Sequence, residues 1–254
     1  MSKKVNILGI RIDNLTESEC IDIIKQTLKK KQNTKIFTPN PSIALKARKD
    51  EKMQNIINSA DILIADGIGI VQASKILKDP LPQRIAGIDI GEKILEIAND
   101  EHLSLFLLGG TKNTVTTAAK KLKERHTNIN IAGTHHGFFD INCEYNQKLV
   151  NYINISRPDI IFVCMGYPKQ EMWIFQNSNK IPSLKLSIGL GGSLDVWSKK
   201  IKRAPLSFRK LNLEWLWRMI IQPKRFLNFK DIPCFYYLIL LQKIKSGNKQ
   251  SKKW

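Results

Sequence analysis

Short apolar runs, each closed by glycine or a polar cluster and followed by a helical pattern, recur along this chain. Lys35 to Phe37 ends in Thr38-Pro39-Asn40-Pro41, and Ile62 to Ala65 ends in Asp66-Gly67-Ile68-Gly69. Leu103 to Leu108 leads to Gly109-Gly110-Thr111, and Ile129 to Ala132 leads to Gly133-Thr134-His135-His136-Gly137. Asp159 to Met165 ends in Gly166-Tyr167-Pro168-Lys169-Gln170-Glu171, and Leu184 to Leu190 in Gly191-Gly192-Ser193-Leu194-Asp195. Apolar runs of this length are strands buried on both faces. Strand and helix in strict succession predict an α/β fold with a parallel sheet and right-handed crossovers. In such sheets ligands bind outside the carboxyl ends of the strands, which is where the glycines and polar residues gather.

Between the runs the helical signals are local. Thr16 and Glu19 form a capping box, and Ile21, Ile24 and Leu28 continue its apolar stripe. Helices are also predicted around 43–49, 53–59, 114–126 and 144–156, and Val5 to Ile12 reads as a first strand. From Lys199 the character changes. A basic segment leads into an aromatic-rich helix over 211–221, Pro223 breaks it, and a second apolar run spans Phe235 to Leu241. The reading is therefore a catalytic-type α/β unit over 1–198 and a basic, aromatic appendage over 199–254. Truncation after about Lys202 is expected to leave a folded sheet.

Charge narrows the partners. The 254 residues carry 41 Lys and Arg against 22 Asp and Glu, a formal +19. Fifteen of those bases and only two acids fall in residues 199–254. Such an excess points to a polyanion: an anionic membrane, a phosphorylated substrate or nucleic acid. No helix-turn-helix, OB or RRM pattern is visible and the bases concentrate outside the sheet, so no nucleic-acid partner is expected. No stretch reaches the roughly 18–20 apolar residues of a membrane-spanning helix. Phe235–Leu241 with its lysines instead suits an interfacial helix or one packed on the body. Met-Ser-Lys-Lys-Val precedes no long apolar segment, so a signal peptide is not expected. Cys20, Cys143, Cys164 and Cys234 are scattered without zinc spacing, three of them within apolar patterns, and read as buried free thiols of a cytosolic protein.

The strand ends carry the candidate chemistry. Asp66 either takes a proton or orients a hydroxyl in the crevice, or it caps the next helix. Gly109-Gly110-Thr111 either cradles a diphosphate at a helix N-terminus or makes a tight turn. His135 and His136 read as a metal or acid–base pair, or as a surface turn. Gln170 is expected to face the crevice beside Glu171, and Asp195 to bind a ribose or cap a turn. Neither the dinucleotide fingerprint nor the P-loop is present.

Taken together these residues resemble the WecG/TagA/CpsF family, glycosyltransferases of family 26. The blocks are Thr38-Pro39-Asn40-Pro41, Ala60-Asp61 with Asp66-Gly67-Ile68-Gly69, Arg84-Ile85-Ala86-Gly87-Ile88-Asp89, Gly137-Phe138-Phe139 and Gly166 to Glu171. Gly191-Gly192, Arg203-Ala204-Pro205 and Leu213-Glu214-Trp215-Leu216-Trp217-Arg218 complete the set, in order, over about Val5 to Arg225.

The resemblance implies a Rossmann-like glycosyltransferase domain of the GT-E type with a helical basic C-terminal appendage. It implies an inverting, metal-independent enzyme without cofactor that moves N-acetylmannosamine or a related sugar from a UDP-sugar donor. The implied acceptor is undecaprenyl-diphosphate-linked GlcNAc, for teichoic acid, capsule or a related surface polysaccharide. Asp66 is then the general base, with Thr38, Asn40 and Gln170 beside it. Gly67, Arg84, Gly109, Gly110, Gly137, Gly166, Tyr167, Gly191, Gly192 and Asp195 contact substrate. Arg203, Arg218 and Arg225 clamp the diphosphate or the membrane, bidentate guanidinium groups being suited to phosphates. The family's further arginine is replaced by Asn228, with Lys224 and Lys230 nearby, and Leu194 and Ser198-Lys199 stand where the family carries an aromatic and a glycine. The implied location is the inner face of the bacterial membrane, peripherally bound, and self-association is known among such proteins. The rival reading is a non-catalytic basic protein that binds anionic membrane or nucleic acid.

Overall fold

The computed structural model describes residues 3–30, 32–223 and 231–250, with side chains up to 246. Its centre is a parallel sheet of β3 (Thr34–Phe37), β4 (Ile62–Leu63), β5 (Ser104–Gly109), β6 (Asn130–His135), β7 (Ile160–Cys164) and β8 (Leu186–Gly189). The spatial order is β4-β3-β8-β7-β5-β6. Every neighbouring pair is parallel, so all the carboxyl ends lie along one edge.

Alternation along the strands builds two cores. Phe37, Leu63, Phe106, Leu108, Ile161 and Val163 point to one face, where they meet α2 (Pro41–Ala47), α3 (Glu51–Asn58), α4 (Ile68–Ile76), α7 (Glu144–Ser156) and α8 (Lys169–Asn177). Ile36, Ile62, Leu105, Leu107, Phe162 and Ile188 point to the other, against α1 (Glu17–Leu28), α5 (Gly87–Asp100), α6 (Lys112–Arg125) and α9 (Ser193–Trp197). Both faces being covered explains why these strands read as unbroken apolar runs. The chain after β3 enters a helix on the first face and the chain after β8 one on the second. Their adjacent carboxyl ends therefore open a crevice.

Three expectations are corrected. Val5 to Ile12 is not one strand but an antiparallel hairpin, β1 (Lys4–Ile7) and β2 (Ile10–Asp13), separate from the main sheet. Leu8 and Gly9 both have positive φ, +52° and +93°, as a two-residue hairpin turn requires. The hairpin is fastened to the edge strand where the Leu63 N–H donates to Asp13 Oδ2 at 2.8 Å. The strand before Asp66 pairs only at Ile62 and Leu63, although Ile64 and Ala65 are equally buried. The third concerns the cysteines: Cys20 and Cys164 are buried as expected, but Cys143 and Cys234 lie on loop or helix positions open to solvent and are exposed.

After α9 come two short helices, α10 (Leu206–Lys210) and α11 (Glu214–Ile221), and then α12 (Asp231–Gln250). The last of these returns to the α/β body. Phe235 and Ile239 are fully buried in the core formed with α2 and α4. Gln242 accepts from the Leu8 N–H at 2.9 Å and donates to the Asn6 carbonyl at 2.8 Å, and Ser42 donates to Asp231 at 2.9 Å. The run Phe235–Leu241 is thus half core. Its other side, Tyr237, Leu240 and further on Ile244, is 61%, 50% and 60% exposed. Among the described residues no helix is long and apolar enough to cross a membrane.

Candidate active site

Asp66 follows β4 at the crevice. Its side chain does not cap the next helix: the N-cap of α4 is Gly67, which has no side-chain cap bond. Gly67 adopts φ +128°, a conformation that only glycine takes without strain, and so turns the chain while leaving the Asp66 carboxylate outside the helix. The rigid Thr38-Pro39-Asn40-Pro41 loop lies against this turn. The Asp66 N–H donates to the Pro39 carbonyl at 3.2 Å, and Pro41 sits where a Cβ on Gly69 would be, 2.7 Å away. The two loops are therefore one packed unit.

Around the carboxylate the charges form a chain. Arg84 Nη2 lies 3.8 Å from Asp66 Oδ1 and 2.7 Å from Glu214 Oε2 on α11. Arg203 Nε lies 3.3 Å from Glu214 Oε1, and its Nη2 lies 2.7 Å from Asp89 Oδ1 on α5. Glu214 is buried, so α11 is held on the body by a carboxylate shared between two arginines. Desolvation lifts Asp66 above the ordinary carboxylate range, against the pull of Arg84 and Arg218. Glu214 suffers desolvation too, yet the Arg84 hydrogen bond and the charges of Arg203, Arg84 and Arg218 bring it below that range. One acid is thus pushed toward proton binding and the other kept ionised.

The remaining candidates divide into groups. Thr38 is buried and donates to the Gly189 carbonyl at 3.2 Å, linking the ends of β3 and β8. Asn40 Oδ1 caps α2 by accepting from the Ile43 N–H at 3.1 Å. Gln170, expected to face the crevice, is buried instead: Oε1 accepts from the N–H groups of Gly166 (3.2 Å) and Gly191 (2.9 Å), and Nε2 donates to Glu171 (2.9 Å). It ties two strand-end loops together from beneath. Gly166 and Gly191 face open space where side chains would stand, whereas a Cβ on Gly109 would meet the Cys164 carbonyl at 2.3 Å. Gly109 is therefore a packing glycine of the β5–β7 pair.

The Gly137 N–H donates to Gly110, and Lys169 clamps the same loop by donating to Gly137 at 2.9 Å and to Phe139. Tyr167 is half-buried and packs on the first core. Asp195 sits in the first turn of α9 beside Gly192, 3.4 Å from Lys200. Arg218 lies one turn after Glu214, half-buried; Arg225, with Lys224, Asn228 and Lys230, lies outside the described residues. His135 is engaged by Tyr145 at 2.8 Å and by the His136 carbonyl. Among the described residues no three His, Cys, Asp or Glu side chains converge as a metal site. The groove between the hairpin and α12, lined by Asn6, Leu8, Arg48, Leu238, Gln242 and Lys245, contains no acid and lies away from the crevice.

Sequence reasoning assigned no role to Glu214, Asp89, Lys169 or Glu171. All four stood inside the quoted sequence blocks, and Glu214 left a further trace as one of two acids in a strongly basic segment and one helical turn before Arg218.

The chain matches known proteins over nearly its whole length. A family model described as "Glycosyl transferase WecG/TagA/CpsF family" matches residues 5–249. Curated relatives from Staphylococcus aureus, among them those of strains NCTC 8325 and MRSA252, are 41% identical over 244 residues, 95% of this chain and 94% of theirs. They are named N-acetylglucosaminyldiphosphoundecaprenol N-acetyl-beta-D-mannosaminyltransferase. With its parallel sheet, its aspartate at a strand end and this match, the chain belongs to the WecG/TagA/CpsF family of glycosyl transferases.

Proposed function

We propose that the protein is an inverting N-acetylmannosaminyltransferase acting on undecaprenyl-diphosphate-linked GlcNAc, with a UDP-sugar as donor, in the synthesis of a cell-surface polymer. The observation that carries this reading is the Asp66 carboxylate, desolvated at the crevice and flanked by Arg84 and Arg218. In one displacement the acceptor hydroxyl attacks the anomeric carbon, the bond from that carbon to the UDP oxygen breaks, and Asp66 takes the hydroxyl proton. A desolvated base of raised pKa suits this step, which general-base catalysis accelerates by about 10²–10⁴-fold. The departing diphosphate needs cationic partners, and Arg218, whose charge acts on both Asp66 and Glu214, is the proposed one. Thr38 and Asn40 hold the loop that backs Asp66, and Gln170 shapes the glycine turns across from it. A basic binding protein without catalysis is not favoured by the match to curated mannosaminyltransferases over 95% of the chain.

Association with the inner membrane face belongs to the same reading. Most of the large exposed apolar residues, Leu206, Leu211, Trp215, Ile220, Tyr237, Leu240 and Ile244 among them, lie in the basic segment after residue 198, while Phe138, Tyr145, Tyr152, Ile155 and Phe175 are exposed on the α/β body. The reading is tested by UDP release from UDP-N-acetylmannosamine with a GlcNAc-diphosphate-lipid analogue. Acceptor-dependent release is expected from the native chain, reduced by about 10²–10⁴-fold in Asp66→Asn. Release unaffected by the substitution would remove Asp66 from the role of base.

A further inference from the structure

Arg84 presents one nitrogen to two carboxylates, and the distances are unequal. Nη2 is in hydrogen-bond contact with Glu214 at 2.7 Å but stands off Asp66 at 3.8 Å. Glu214 is itself held from the opposite side by Arg203, which Asp89 fixes in turn. Both Glu214 oxygens are engaged, and the residue is buried. A buried carboxylate stays ionised where cations pair with it, so the docked position of α11 depends on Arg84 and Arg203 being turned towards Glu214.

We propose that Glu214 is a positioning residue that holds Arg84 away from Asp66, so that docking of α11 leaves the Asp66 carboxylate free to take the acceptor's proton. The functional consequence rests on the transferase reading; the charge arrangement does not. Apart from Glu214, Asp66 is the one acid within 4 Å of Arg84 among the described residues. Without Glu214 the guanidinium closes on it, occupies its lone pairs and lowers its affinity for a proton, as an opposite charge in contact does. An undocked α11 therefore leaves a quenched base, and a docked one an armed base. The groups facing Asp66 are Arg84, Arg218, Glu214 and the Gly87 N–H; those facing Glu214 are Arg84, Arg203 and Arg218. Desolvation of Asp66 outweighing its two arginines agrees with this arrangement.

The test is the titration of the Asp66 carboxyl carbon by NMR in the full chain, its resonance assigned with Asp66→Asn. Glu214→Gln is expected to move the midpoint down by about one pH unit, and Arg84→Gln to move it up. In the Arg84→Gln background, Glu214→Gln is expected to add less than about a third of its own shift, because its effect passes through Arg84. Glu214→Asp, which keeps the charge but shortens the reach, gives a smaller downward shift and serves if the glutamine variant does not fold. An unmoved midpoint in these variants, or the same shift in both backgrounds, overturns the proposal. Turnover is measured in parallel, and kcat of Glu214→Gln is expected to fall by about tenfold at neutral pH. A native chain that transfers no sugar would defeat the transferase reading, while the titration still decides whether Glu214 governs Arg84.

Discussion

Asp66 carries its charge in a place that resists it, and this has a consequence for stability as well as for catalysis. Its pKa in the folded chain lies above that of the unfolded chain, because desolvation outweighs Arg84 and Arg218. A carboxyl of that kind stabilises the fold while protonated, below the unfolded pKa, and the contribution is lost as the pH rises through the folded value. Once ionised the group therefore opposes folding, and Asp66→Asn, which cannot ionise, is expected to melt at a higher temperature than the native chain while losing activity. Thermal unfolding at pH 7 checks it, and a lower melting temperature would show that Asp66 stabilises the loop. Glu171 shows the same sign more plainly. It is buried, accepts one hydrogen bond from Gln170, has no partner for Oε2 among the described residues, and is raised by desolvation to about 7. Stability is expected to decline as the pH rises through about 7, and Glu171→Gln to flatten that decline in melting curves recorded on either side.

At the scale of elements, what was legible in the sequence was local. The Thr16–Glu19 capping box is present with both bonds, and α7 covers the residues that its pattern marked. The sheet was legible because a strand covered on both faces advertises itself, and the strand-end glycines marked the crevice. What was not legible depended on distant partners. The hairpin turn at Leu8-Gly9 was hidden in an apolar run that continues on both sides of it. Glu214 acquires its meaning from Arg84, 130 positions away. Gln170 could be placed on the correct helix but not on its buried side, since that depends on Gly191 arriving from another strand. The run at 235–241 suited an interfacial helix and one packed on the body alike, because nothing local announces that α2 and α4 receive Phe235 and Ile239. The structure separates the two sides of that helix. Phe235→Ala is expected to destabilise the fold by about 3–5 kcal/mol, the usual range for truncating a buried aromatic. Tyr237→Ala on the exposed side is expected to remain within about 0.5 kcal/mol. Denaturant midpoints measured side by side decide it. By the same reasoning a chain cut after Lys202 loses the core residues Phe235 and Ile239, along with buried Ala204, so its sheet is no longer expected to fold undisturbed.

Taken whole, the molecule is polarised in charge, and the basic segment also carries most of the large exposed apolar side chains. The formal +19 is concentrated after residue 198, the segment that also exposes Leu206, Leu211, Trp215, Ile220, Tyr237, Leu240 and Ile244. On α12, Tyr237, Leu240 and Ile244 follow at helical spacing on the side away from the core, with Lys243 and Lys245 beside them. An amphipathic helix so placed binds an anionic surface by two additive terms: apolar area entering the headgroup boundary, and about 1 kcal/mol for each nearby Lys or Arg. The charge contribution is screened within a Debye length of about 8 Å at physiological ionic strength, and the apolar contribution is not. The native chain is therefore expected to sediment with vesicles containing anionic lipid, less with neutral ones, and to be released in part by salt. Leu240→Glu with Ile244→Glu removes the apolar contribution and adds repulsion without touching Phe235 or Ile239. That variant should melt like the native chain yet bind vesicles weakly even at low salt. If it sediments as the native chain does, α12 is not the membrane-facing element. The exposed residues of α10 and α11, next to Glu214 and the crevice, would then carry the contact by themselves.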